Sequence, residues 1–166
     1  MALIHPSFAL AAETSEPNID GRWRQGALKE EATVREWLAA CGPAPVSRVV
    51  PGGDILDVSR ALAELSFNGG GHSFTTNGCY EALPALSKEA HSFDSKTRTW
   101  HTQCATPEGD PRRISVQTSI ALESDKRLSL SETIHYEVTV REGKCLADVQ
   151  RTRASELVNH GPPLPL

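Results

Sequence analysis

Glu132 is the residue of this chain whose position most needs a chemical explanation. It stands within Arg127-Leu-Ser-Leu-Ser-Glu-Thr-Ile-His-Tyr-Glu-Val-Thr-Val-Arg141. There Leu128, Leu130, Ile134, Tyr136, Val138 and Val140 are apolar and every odd position from Ser129 to Arg141 is polar. That alternation is the signature of a strand buried on one face, and Glu132 interrupts the apolar side. An unpaired carboxylate there costs about several kcal/mol, so the group is either paired or protonated. Paired, it anchors an ion pair in the interior; with a raised pKa, it serves as a general acid or base on a bound ligand. The available partners are Arg98, on the face of Trp100, and Arg151 or Arg153, on the face of Val149.

Other groups with chemical potential carry less. Six histidines are present, but no Gly-x-Ser-x-Gly accompanies them, and His135 and His101 fall on polar strand faces. His72 follows Asn68-Gly-Gly-Gly71. This glycine run lacks the Lys-Ser/Thr of a phosphate loop and reads as a flexible hairpin tip. Cys41, Cys79, Cys104 and Cys145 contain no C-x-x-C pair, which argues against zinc. They read as two disulfides in an exported domain. Three pairings are possible, and the placement of the cysteines at element ends favours Cys41–Cys79 and Cys104–Cys145. No catalytic residue, metal or cofactor is assigned.

These groups need a scaffold, and the scaffold reads as mainly β. Asp54-Ile-Leu-Asp-Val-Ser59 and Ala63-Glu-Leu-Ser-Phe67 read as a strand pair, the glycine run then reverses the chain into His72-Ser-Phe-Thr-Thr76, and alternation recurs at Thr97-Arg-Thr-Trp-His-Thr-Gln-Cys104. Ile114, Val116, Thr118, Ile120 and Leu122 form the inner face of a further strand, and another runs from Cys145 to about Leu157. Lys29 to Ala40 reads as a short helix, acidic at its start, with Val34, Trp37, Leu38 and Cys41 on one face. Gly42-Pro43 would end it. Residues from Cys79 to Ser95 form the longest irregular connection, with a short helix from Pro84 to Ala90. The expected architecture is an antiparallel up-and-down barrel of about eight strands, or a strongly coiled sheet, with one short N-terminal helix. Residues 1–17 form an arm or the remnant of a signal segment, 18–158 a single domain, and 159–166 a Pro-rich tail.

The chain has 17 basic and 21 acidic residues, a net charge of −4, and no basic face interleaved with aromatics. Nucleic acid is therefore not an expected partner. No apolar run approaches the ~20 residues of a membrane-spanning helix.

Gly21-Arg22-Trp23, near the start of a β-rich chain of this size, resembles the opening strand of lipocalins and related calyx barrels. The resemblance implies a Trp23 that plugs one end of the barrel, with an Arg of the last strand, Arg151 or Arg153, packed over its ring. The segments Trp100 to Arg113 and Gly143 to Arg153 also resemble parts of envelope-associated bacterial domains, which implies export and no particular activity.

Two kinds of function fit these readings. One is an exported, noncatalytic domain that binds a small amphiphile inside or a protein partner through its loops, including as an assembly subunit of a cell-envelope complex. The other is a small-barrel enzyme of cyclase or isomerase type, acting on an apolar substrate with Glu132 and an Arg. The interior residues expected to face a ligand are Glu132, Arg98, Tyr136 and Trp100. The expected contact loops carry Gly70, His72 and Tyr80.

Overall fold

The computed structural model describes residues 16–61, 64–69, 72–75 and 86–160. Among these, eleven antiparallel strands form one strongly curled sheet, a half-barrel: β1 Gly21–Gln25, β2 Leu28–Glu36, β3 Arg48–Val50, β4 Ile55–Ala61, β5 Glu64–Gly69, β6 His72–Thr75, β7 Ser87–Asp94, β8 Thr99–Ala105, β9 Arg112–Ser124, β10 Arg127–Val140 and β11 Gly143–Asn159. The order across the sheet is β6-β5-β4-β1-β11-β10-β9-β8-β7. The strands with the longest alternation, β9, β10 and β11, are its centre, joined by short reversals as period-two patterning with turn residues favours.

β11 is long enough to serve two partners along one edge. Its first part, Leu146–Thr152, pairs with β2 and its last part, Ser155–Asn159, with β1. The chain bends between them at Gly26-Ala27. A Cβ at Gly26 would press on the carbonyl of Ala154, and one at Gly52 would overlap the backbone of Gln25 and Gly26. Glycine is needed at both because backbone passes over backbone there.

The segment expected to be a helix is strand β2, followed by a 3-10 turn at Ala39–Cys41. Residues 28–32 alternate as a strand, with Leu28 and Glu30 buried and Lys29 and Glu31 exposed. The open edge of β11 offers a ladder of hydrogen bonds that outweighs the modest helix propensity of Lys-Glu-Glu-Ala. Val34 is correspondingly exposed, and Trp37 donates its Nε1 hydrogen to the Gly42 carbonyl. The helix expected up to Ala90 is likewise replaced, for residues 87–90, by β7. That strand, where an irregular connection was expected, pairs with β8 and sets Phe93 against Trp100, ring centroids 4.9 Å apart.

The core lies on the concave face in two clusters. One joins Ile19, Trp23, Leu56, Val58, Leu65, Phe67, Trp100, Ile120, Leu122 and Leu128, so the curl brings β4 and β5 over toward β8. The other is built from Cys104, Ile114, Val116, Ile134 and Val149. Trp23 is wholly buried and donates to the Ile19 carbonyl at 3.0 Å. At the rim, Glu16 accepts hydrogen bonds from Trp100 on β8 and from Arg60 on β4, tying together strands far apart in the sheet order. No helix of the described residues is long and apolar enough to cross a membrane.

Cys41 and Cys145 form a disulfide across a sequence separation of 104, so neither Cys41–Cys79 nor Cys104–Cys145 is formed. With β2 paired to β11, the turn at residues 39–41 arrives beside the start of β11, where Cys145 stands. Cys104 is also disulfide-bonded; Cys79 lies outside the described residues.

Candidate functional site: a polar row across the concave face

The two apolar clusters are separated by a line of polar side chains in strict register. His91 of β7 stands opposite Thr102 of β8, Thr102 opposite Thr118 of β9, and Thr118 opposite Glu132 of β10. Glu132 stands opposite Arg151 of β11, Arg151 opposite Glu30 of β2, and Glu30 opposite Arg48 of β3. The neighbouring row on one side is Phe93, Trp100, Ile120, Leu130 and Arg153; on the other it is Cys104, Val116, Ile134, Val149 and Ala32. Because the side-chain period of a strand is two, one polar residue per strand at matched register suffices to draw this line.

Its members bond to one another. His91 Nδ1 lies 2.9 Å from Thr102 Oγ1. Thr118 donates its hydroxyl to Glu132 Oε2 at 2.9 Å, and Arg151 Nη1 donates to Glu132 Oε1 at 2.9 Å. Arg151 Nε reaches Glu30 Oε1 at 3.0 Å, and Arg48 Nε donates to Glu30 Oε2 at 2.6 Å. Glu132 is 1% exposed, Arg151 7% and Glu30 9%. Two carboxylates alternate with two guanidinium groups along the line, which leaves it close to neutral, the condition for holding charge inside a protein.

The electrostatics follow from these contacts. Burial by itself would raise the Glu30 pKa, but the Arg48 hydrogen bond and the charges of Arg151 and Arg48 together hold it below the ordinary carboxylate range. Burial, and then the Lys88 charge, hold His91 below the usual histidine value, with Glu16 and Glu64 opposing. For Glu16, burial raises and the hydrogen bonds from Trp100 and Arg60 lower, and the net is downward.

Of the expected ligand-facing residues, Glu132 and Tyr136 share the concave face and Trp100 is in the first apolar cluster. Arg98 is elsewhere. It occupies the β7–β8 turn with φ of 49° and pairs with Asp125 at 3.6 Å, so the partner of Glu132 is Arg151. Arg151, expected near Trp23, is thereby committed to carboxylates. Arg153 lines a recess with Gln25, Leu56 and Phe67. Gly70 and Tyr80 lie outside the described residues, and His72 is the first residue of β6. His135 and His101 are exposed or nearly so, bonded to Asp148 and Ser119 on the convex face.

Sequence reasoning missed Glu30, Arg48, Thr118, Thr102 and His91 as members of one line. The signal for Glu30 was the short alternation Leu28-Lys-Glu-Glu-Ala32, masked by the helix-forming composition around it. Thr118 was placed on an inner face without its role being recognised.

A pocket of about 270 Å³ opens beside the line, with Ile134, Tyr136 and Val149 as its apolar wall and Glu30, Arg48 and Arg151 as its polar wall. Ala44, Pro45 and Val46 cover it, in a strap held to β11 through Cys41–Cys145. Glu132 is not among the lining residues; Arg151 stands between it and the pocket. Among the described residues no group of acidic, His or Cys side chains has the arrangement of a metal site. In comparisons with known proteins, no family model, no curated protein and no solved structure matches this chain.

Proposed function

We propose that this chain is a noncatalytic binding domain that takes a small amphiphile on its concave face, in the pocket beneath the Ala44–Val46 strap. The observation that carries this reading is the engagement of Glu132. Both of its oxygens accept hydrogen bonds, from Thr118 and Arg151, and it is shut off from the pocket, so the one carboxylate expected to act as acid or base is spent on structure. What faces the pocket is an apolar wall opposite a charged one, the usual lining for an amphiphilic ligand. The disulfide supports an exported protein, because such bonds persist in oxidising compartments.

Titration calorimetry with a panel of neutral medium-chain alcohols and monoglycerides tests the reading. Binding is expected in the folded protein, with a loss of about tenfold in Tyr136→Ala, corresponding to ~1.4 kcal/mol. Absence of binding across the panel would overturn it, as would turnover of any member that disappears in a folded Glu132→Gln variant.

A further inference from the structure

Strands β4, β5 and β6 form a leaf that the sheet holds on one side only. Among the described residues, its strand pairing to the rest of the sheet runs through β1 alone, and β1 carries a register shift between Arg22 and Trp23 where it meets β11. The curl lays this leaf over β8, with β1, β11, β10 and β9 between them in the sheet order, and no strand pairing joins the two across the gap. What meets there is side chains: Leu56, Val58, Leu65 and Phe67 from the leaf, Trp100, Ile120 and Leu122 from the main sheet. The charges of Lys88 on β7 and Glu64 on β5 face the same gap, both acting on His91.

One carboxylate bridges it. Residues 16–20 are moored to the leaf side: Asp20 Oδ1 accepts the Arg60 backbone hydrogen at 3.1 Å, and the buried Ile19 accepts the indole hydrogen of Trp23 at its carbonyl. From this mooring Glu16 Oε2 accepts one hydrogen bond from the Arg60 guanidinium on β4 and another, at 2.9 Å, from Trp100 Nε1 on β8. Trp100 is 1% exposed, so its indole hydrogen, which needs a partner when buried, has this carboxylate where water cannot reach. Bonds to a charged acceptor are the stronger kind, and a buried donor that loses its acceptor is costly. Taking Glu16 away therefore favours a state in which water reaches Trp100. We propose that Glu16 is a latch that holds the β4–β6 leaf shut on β8, and that its release lets the leaf swing away as a unit on its attachment to β1, baring the first apolar cluster along the Trp100 side. This mouth lies across the polar row from the strap pocket and is independent of it.

Amide hydrogen exchange of the whole protein, followed by NMR at a series of low urea concentrations, tests the latch. The amides of residues 56–60 and 65–67 should share one opening, with a urea dependence well below that of the β9–β11 amides, which open only on global unfolding. In Glu16→Ala the leaf opening should be at least tenfold more frequent. Glu16→Gln keeps an acceptor for Trp100 and gives up the ion pair with Arg60, so it should fall between the two proteins; Tyr136→Ala, in the strap pocket, should leave the leaf opening unchanged. Burial raises the Glu16 pKa and the bonds from Trp100 and Arg60 more than offset it. The Trp100 indole resonance should therefore step with that titration, below the ordinary carboxylate range, and lose the step in Glu16→Gln. A leaf that opens with the free energy and urea dependence of β9–β11 would show that it is no separate unit, and an opening unchanged in Glu16→Ala would show that Glu16 does not hold it. Either result overturns the proposal, as does an indole resonance blind to the titration.

Discussion

Arg151 lies directly opposite Glu132 across β10 and β11, and its guanidinium is shared between that carboxylate and Glu30 on the other side. Removing each member leaves a different residue of charge. Glu132→Gln keeps Arg151 paired with Glu30 and should cost about 1–3 kcal/mol. Arg151→Met takes the guanidinium from the buried Glu132 carboxylate and leaves Glu30 with Arg48, and should cost about 3–5 kcal/mol, whereas Glu132→Leu with Arg151→Met should recover part of that loss. Urea unfolding of the single and double variants measures all three, and strictly additive losses would show that the two residues are not coupled.

Acid should unfold the protein partly through Glu30. Its folded-state pKa is below its unfolded value, so the stability it contributes is complete above the ordinary carboxylate range and is lost as pH falls through the folded pKa. Melting temperature should therefore decline on acidification below about pH 4.5, starting from the unfolded-state value of the group. The decline should be shallower in Glu30→Gln, which starts from a lower melting temperature at neutral pH. Identical slopes for the two proteins would assign acid sensitivity to other carboxylates.

The strap depends on Cys41–Cys145. Replacing both with serine should lower stability by about 2–5 kcal/mol, as expected for removing a native bond that closes a long loop. It should also weaken amphiphile binding beneath Ala44–Val46. Peptide mapping without reduction should recover Cys41 joined to Cys145; recovery of Cys41 joined to Cys79 would contradict the fold around β2.

Trp23 holds β1 within the first apolar cluster. Trp23→Ala should cost about 3–5 kcal/mol through lost burial and the cavity left behind. Trp23→Phe, which gives up the bond to the Ile19 carbonyl and keeps most of the packing, should cost less than half as much. Near-equal losses in calorimetry would mean that the hydrogen bond, and not the packing, is what matters.

The strands β4, β5, β8, β9, β10 and β11 were legible in the residues because each carries several turns of clean alternation, and alternation reports burial on one face with no knowledge of the partner. The inward positions of β9, from Ile114 to Leu122, are buried as the pattern implies. Glu132 was legible for the same reason, as a charge on an apolar face that must be compensated. What compensates it was not, since Arg98, Arg151 and Arg153 all had suitable phase, and the choice depends on which residue the register sets opposite. The tertiary structure alone decided the state of residues 28–36. Their local preference is helical and weak, and the exposed edge of β11 supplied hydrogen bonds and a buried partner for Glu30 that a helix would have forgone. The same pairing decided the disulfide, because a strand places Cys41 beside Cys145 and a helix would not. Long-range register carries no mark in a single chain. It arises only when hydrogen-bonding edges, charges and apolar rows from distant segments are matched at once.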